Sequence, residues 1–296
     1  MPTKQRDELF KKQIEELCDH KERIILCAKY LKEKFGSHLA WLKPKVVIIL
    51  GSGLGPLANV VTDKKSILYK KIPFFPNSTA PGHEGRLIIG KIGGVPVFVM
   101  SGRTHGYEGV SAKEITSPLR VFHLLGVRNL IVTNACGGIA DNLKLGDIMV
   151  IKNHNGLLMR DNPLTGANDE NFGPRFPGRL YPYDQKWQTL FHEMTEKMKL
   201  KIKNGVFAAV PGPNYETYEE LIFLRKNGVS GIGMSTVYEA IVATHQNWRI
   251  LGISIVTDCP LDQKTDVTSD EVIKVANKTG RTLKKLLVKF IKKADF

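Results

Sequence analysis

No stretch of the 296 residues approaches the roughly 18 to 20 consecutive apolar side chains that a membrane-spanning helix needs, the longest clean run being Val46 to Leu50. The opening, MPTKQRDELF, is too charged to read as a secretory signal, so a cytoplasmic protein is expected. Cysteine is scarce: Cys18, Cys27, Cys136 and Cys259 form no C-x-x-C pair, which argues against a zinc site or a disulfide framework and leaves reduced, buried thiols. There is no internal repeat and no low-complexity segment. An excess of acid is also lacking, since 43 Lys and Arg stand against 29 Asp and Glu for a net charge of +14. Such a balance attracts polyanions in general. Its placement points elsewhere, because residues 1–45 hold 11 basic and 7 acidic side chains and residues 264–296 hold 9 and 4, on two amphipathic patterns that read as solvated helix faces. No basic motif interleaved with aromatics is present, so no nucleic-acid partner is expected.

What is present is the composition of an ordinary folded chain, 42% hydrophobic and 24% charged, long enough to bury roughly 75% of its extended surface in one large domain. Ile14, Leu17, Cys18, Ile24, Ile25, Ala28, Leu31 and Phe35 recur at three- and four-residue steps and predict an N-terminal helix over about residues 5–36. The β-branched run Val46–Leu50 predicts a buried strand, and comparable runs are Val95–Met100, Leu130–Thr133, Ile148–Ile151, Val206–Val210 and Ile250–Thr257. Helical patterns lie around Ala112–Leu125, Asp184–Met198, Tyr218–Lys226 and Val237–Gln246. A last helix over about 270–293 carries Val272, Val275, Leu283, Leu286, Leu287 and Phe290 on one face and lysines on the other. Strands alternating with helices imply an α/β fold, a single domain over 1–296 with a twisted mixed sheet flanked by helices. The stretch from Asn153 to Tyr183, rich in Asn, Gly, Pro and Asp, exceeds ordinary connection lengths and reads as a functional loop.

Polar clusters follow several of these strands, where open α/β sheets bind ligands. Gly51-Ser52-Gly53-Leu54-Gly55 exposes backbone N–H groups and a hydroxyl suited to an anion, although a bare tight turn would use the same glycines. Its spacing is neither the dinucleotide G-x-G-x-x-G nor a P-loop. Ser101 to Gly109, SGRTHGYEG, brings Arg103, His105 and Tyr107 to a strand end, where Arg103 can grip phosphate and His105 can donate beside it. Pro81 to Arg86 repeats this chemistry with His83. Asn134-Ala135-Cys136-Gly137-Gly138 follows another strand and would let a ligand lie against bare backbone, or form a tight strand-to-helix turn. Pro211 to Thr217, PGPNYET, sets Tyr215 beside Glu216, an aromatic and a carboxylate able to stack on and bond a heterocycle. Gly233-Met234-Ser235-Thr236 and the strand ending Thr257-Asp258 complete the set.

Together, GSGLG, GHEGRL, SGRTHGYEG, VTNACGG, NDENFGPRFP, PGPNYET and GMSTV, in that order, resemble the trimeric, low-molecular-mass purine nucleoside phosphorylases over essentially the whole chain. The resemblance implies phosphorolysis of a purine nucleoside to free base and ribose 1-phosphate, as in purine salvage, by a homotrimer that needs no cofactor and no metal. It also implies that Ser52, His83, Arg103, His105, Ala135 and Ser235 bind phosphate, with His105 also catalytic. Tyr107, Met234 and Ser269 would meet the ribose. Ala135, Cys136, Gly137, Tyr215, Glu216, Thr257 and Asp258 would meet the base, with Glu216 and Asp258 catalytic, and Phe172 would be the aromatic lent by a neighbouring subunit.

Four positions depart from that pattern. Asp258 stands where the family usually has Asn, whose amide can donate to O6 and N7 of a 6-oxopurine, whereas an ionised Asp only accepts. An Asp there suits the exocyclic N–H of a 6-aminopurine, as in the related methylthioadenosine phosphorylases, or shares a proton with Glu216, since two close carboxylates push one pKa up. Ser269 stands near the place of a usual His contact to the ribose, Tyr215 replaces a Phe, and Tyr238 replaces a Pro. The expectation is therefore a purine nucleoside phosphorylase with base preference moved toward 6-aminopurines or broadened. The alternatives are a methylthioadenosine phosphorylase and a weakened, nucleoside-binding member of the family.

Overall fold

The computed structural model describes residues 18–80, 82–262 and 268–296. Helix α1 (His20–Leu42) begins at Asp19, whose carboxylate accepts from the Glu22 amide at 2.8 Å while the Glu22 carboxylate accepts from the Asp19 amide at 2.9 Å, a reciprocal cap. The helix runs past the expected end at residue 36. Gly36 adopts φ 47, which only a residue without Cβ takes at little cost, and the chain then resumes helical turns to Leu42. Residues 5–17 of the expected helix lie outside the described residues. Ile24, Ala28, Leu31 and Phe35 are buried as the periodicity requires, but Ile25 faces solvent.

Among the described residues nine strands follow: β1 (Val46–Leu50), β2 (Thr62–Leu68), β3 (Arg86–Ile92), β4 (Val95–Ser101), β5 (Asn129–Gly138), β6 (Ile148–Asn155), β7 (Lys203–Ala209), β8 (Gly231–Gly233) and β9 (Arg249–Asp258). Three of them were not expected. β2 is a charged edge strand, β3 follows a glycine-rich loop and β8 is Gly-Ile-Gly, so none carries a long β-branched run. The predicted helix 112–125 is two, α2 (Ala112–Ile115) and α3 (Ser117–Leu124), because Pro118 has no N–H to continue the first and suits the opening turn of the second. Beyond these lie α4 (Gln185–Lys197), α5 (Tyr218–Lys226), α6 (Val237–His245) and α7 (Ser269–Lys293).

The strands form one mixed sheet in the order β2-β3-β4-β1-β5-β8-β7-β6-β9, and β9 pairs back onto β5. The last five strands therefore close into a ring, with the first four as an open wing attached through β1. β5 is the hinge of this arrangement. Its Asn129–Val132 segment pairs in parallel with β1 on one side, its whole length pairs with β9 on the other, and Gly137 and Gly138 turn to pair with β8. NACGG is thus the end of a strand, neither a loop nor a strand-to-helix turn.

All five residues of β1 are buried because helices cover both faces. Val47 and Ile49 pack in the cluster that includes Leu31 and Phe35 of α1 and Phe122 of α3, while Val46, Ile48 and Leu50 pack with Phe191 of α4 and Leu283, Leu287 and Phe290 of α7. Lys274, Lys278, Arg281, Lys285 and Lys289 of α7 are exposed, the solvated face that its sequence implied. Cys27, Cys136 and Cys259 are buried free thiols and Cys18 is a partly buried one. No helix among the described residues is long and apolar enough to cross a membrane.

Candidate active site

The parallel strands β1, β4, β5 and β9 end on one side of the sheet, and the residues that follow or finish them converge on one open cleft. β1 runs straight into Gly51. A Cβ there would fall 2.7 Å from the Thr133 carbonyl oxygen and 2.8 Å from Asn134 Cα, so only glycine lets the first loop lie against the end of β5. That approach brings Ser52 to the rim.

One end of the cleft is cationic. Arg103, 2% exposed, sends Nη1 to Glu239 Oε1 at 3.1 Å and to Thr236 Oγ1 at 3.2 Å, and Nη2 to the Thr133 carbonyl. Among the described residues its buried Nε has no hydrogen-bond partner. The buried ion pair with Glu239 anchors the guanidinium from behind. His105 is buried and contacts Glu108 Oε1 through Nδ1 at 3.1 Å, and its ring stacks on Tyr107 with centroids 4.8 Å apart. The Glu108 carboxyl lies well below the usual carboxylate range, at about 2: burial pushes it up, and hydrogen bonds from His105 and Thr79 outweigh that. Ser235 ends the turn after β8 and also lines the cleft. His83 sits one layer behind, its ring nitrogens 3.2 Å from Ser52 Oγ and 2.8 Å from the Arg103 carbonyl oxygen, with its pKa held down to about 4 by burial and by His105.

The other end is acidic. Asp258, the last residue of β9, is 8% exposed, and burial raises its pKa against the opposing hydrogen bond from Thr257 Oγ1 to Oδ1 at 3.1 Å. A Cβ on Gly137 would lie 3.0 Å from Asp258 Oδ2, so the bare backbone of β5 leaves room for that carboxyl. Glu216 is also raised, first by burial and then by Asp258. Both acids are therefore biased toward holding a proton. Tyr215, 53% exposed, lines the same end of the cleft.

Ser52, Arg103, His105, Ala135 and Ser235 of the expected phosphate set line this one cleft, as do Tyr107 and Met234 of the ribose set. So do Cys136, Gly137, Tyr215, Glu216, Thr257 and Asp258 of the base set. His83 does not line the cleft; it touches Ser52, the Arg103 backbone and the ring of His105. Ser269 is the first residue of α7, three positions before Val272, which does line the cleft.

Phe172 is 6% exposed, packed beside Arg120 and His123 of its own chain, and does not border the cleft of that chain. The second phenylalanine of the same NDENFGPRFP segment, Phe176, is 86% exposed. Burial separates the two; the motif alone does not. No residue of 153–183 borders the cleft of its own chain, and that segment instead presents Leu157, Phe176, Leu180 and Tyr181 to solvent. Asn134, Ile232, Gly233, Val272 and, behind them, Thr236 and Glu239 were not expected as site residues. Asn134 lay within a quoted motif, whereas Val272 had been read as core. Tyr238 is buried with its hydroxyl 3.7 Å from where a Gly106 Cβ would stand, packing beneath the His105 loop.

A cleft at strand ends, cationic at one end and acidic at the other, defines an α/β enzyme that holds a phosphate-like anion beside a heterocycle. Comparison with known proteins narrows this. The sequence profile of the Phosphorylase superfamily matches residues 45–292. Purine nucleoside phosphorylase 1 of Bacillus subtilis (strain 168) is 42% identical over 270 residues, 90% of this chain and 97% of the bacterial protein. Among solved structures, Schistosoma mansoni purine nucleoside phosphorylase in complex with adenosine superposes with a TM-score of 0.86 at 36% identity, covering 93% of this chain and 98% of that one. Isoform 2 from the same organism, in complex with cytosine and ribose-1-phosphate, gives 0.86 at 36% identity over 93% and 97%. The chain belongs to the phosphorylase superfamily and, within it, to the purine nucleoside phosphorylases.

Proposed function

We propose that this enzyme cleaves purine nucleosides with inorganic phosphate, giving free base and ribose 1-phosphate, and that its acid pair widens or shifts base preference toward 6-aminopurines. The observation that carries the reading is the polarity of the cleft: an anchored, partly unpartnered Arg103 beside His105 at one end, and Asp258 with Glu216 at the other.

Phosphate is a weak nucleophile in water. Held by Arg103 Nε, His105, the hydroxyls of Ser52 and Ser235 and the Ala135 backbone, it is partly dehydrated and oriented toward the ribose beside Tyr107 and Met234. One phosphate oxygen forms a bond to the anomeric carbon as the bond to the base nitrogen breaks, and the electron pair leaves on the base. Charge that develops on the departing base is met by a proton held at Glu216 or Asp258, stabilisation that counts only in the transition state. A base carrying an exocyclic N–H can also donate to whichever carboxyl is ionised.

The relatives bound to adenosine and to hypoxanthine show that related sites accept both 6-amino and 6-oxo bases. The exposed Leu157, Phe176, Leu180 and Tyr181 support assembly with further copies of the chain, of which the trimer implied by the family resemblance is the specific form proposed. The test is phosphate-dependent base release from inosine, guanosine, adenosine, methylthioadenosine and cytidine, with a control lacking phosphate. Turnover of at least one purine nucleoside only with phosphate is expected. Nucleoside binding without turnover would instead identify a weakened binding member, and preference for methylthioadenosine over adenosine the methylthioadenosine phosphorylase.

A further inference from the structure

Thr236 occupies the most unusual backbone position at the cleft. Its φ is 72 and ψ −45, and the Val237 amide donates to the Ser235 carbonyl across it at 2.8 Å, which makes a γ-turn of the strained hand at a β-branched, fully buried residue. Glycine would adopt this turn freely, so the side chain is what threonine contributes in return.

That side chain is a junction. Its hydroxyl oxygen accepts from Asn134 Nδ2 at 2.7 Å and from Arg103 Nη1 at 3.2 Å. A hydroxyl has two lone pairs and one proton, so both acceptor positions are filled and the proton must be given outward. Ser235 Oγ stands 3.4 Å away to receive it. Ser235 is then an acceptor toward Thr236, which leaves its own O–H free to turn toward the cleft that the residue lines. The same oxygen thus fixes the end of the guanidinium opposite its Nε and leaves the neighbouring donor available.

We propose that Thr236 is a positioning residue for the phosphate subsite: one buried hydroxyl, held in place by the γ-turn, aligns Arg103 and polarises Ser235 so that both present donors to the anion. The proposal rests on the reading of Arg103 and Ser235 as phosphate ligands.

The experiment compares steady-state kinetics and melting temperature of the full-length protein with Thr236→Val, Thr236→Ser and Thr236→Gly, and with Arg103→Gln as the control for the site itself. Thr236→Val keeps the branched shape and loses the hydroxyl, and is expected to raise KM for phosphate on the order of tenfold, with KM for nucleoside within about threefold of the parent. Thr236→Ser restores the hydroxyl and is expected to return phosphate KM to within about threefold of the parent. Thr236→Gly relaxes the turn while lacking the hydroxyl, so its melting temperature should not fall below that of Thr236→Val although its phosphate KM stays raised. This separates positioning from mere structural support. A Thr236→Val enzyme with parental phosphate KM, a serine variant no better than the valine one, or equal rises in both KM values would overturn the proposal while Arg103→Gln still impaired phosphate use. An Arg103→Gln enzyme with unaltered phosphate KM would overturn the site reading and the proposal with it.

Discussion

Asp258 and Glu216 concentrate the chemistry of this chain into two carboxyl groups, and burial raises both. In water each would be ionised at neutral pH and would repel O6 of a 6-oxopurine. In the cleft, withdrawal from solvent raises both, and Asp258 raises Glu216 further, so both are shifted toward the protonated form that can donate to a base. An asparagine at 258 would donate without needing a proton from solution. Asp258→Asn is therefore expected to raise the ratio of kcat/KM on inosine to that on adenosine by about tenfold or more, the scale of one well-placed hydrogen bond at a reacting base. Measuring both substrates in parallel checks this, and an unchanged ratio would remove Asp258 from base selection.

Among the elements, α7 has two duties that its amphipathic pattern did not distinguish. It covers one face of the sheet through Leu283, Leu287 and Phe290, and its first turns press on the glycine loop after β1. Gly53, at φ 72, has its open side 2.4 Å from Ala276 Cβ and 3.2 Å from the Ile273 carbonyl oxygen, measured to where a Cβ would be. The loop is shaped as much by the seat of this helix as by any anion. One turn earlier Val272 reaches the cleft, so displacement of α7 reaches the site directly. Gly53→Ala should cost roughly 2–4 kcal/mol, combining the left-handed backbone penalty with overpacking against helix backbone, and should weaken substrate binding as well. Denaturant unfolding with and without phosphate and nucleoside checks both parts.

At the scale of the whole molecule, acid is the condition to which this fold is most exposed. His20, His83, His123 and His154 are each held down to about 4 from 6.5, chiefly by burial. Between those values the unfolded chain binds more protons than the folded one, so stability falls as pH drops through 6.5 toward 4, and the histidine contribution is gone below that. Allowing for residual solvent access, each group contributes roughly 1–2 kcal/mol. Glu216 and Asp258 act in the opposite direction: being raised, they favour the fold at low pH and lose that contribution as pH rises through their folded values. Four histidines outweigh two acids. The melting temperature is expected to fall steeply between pH 6.5 and 4, and a flat profile there would mean that these rings are solvated.

The order of the motifs and the period of the hydrophobic residues sufficed for the α/β class and for most helices and strands, because burial on one face imposes a spacing on the chain itself. The polar clusters were legible for the same local reason: SGRTHGYEG and the final Thr257-Asp258 each end an apolar run, and a strand end is where a ligand meets a parallel sheet. Contacts between distant segments decided the rest. Closure of β5, β8, β7, β6 and β9 into a ring depends on pairing across more than 100 residues, so NACGG had no local mark of being a strand. Phe172 and Phe176 share one motif, and only packing against Arg120 and His123 tells the buried ring from the exposed one. Thr236 is one polar residue among many in the sequence. It becomes the junction of Arg103, Asn134 and Ser235 only when β4, β5 and α6 meet, since a hydrogen-bond network is a property of positions in space and not of composition.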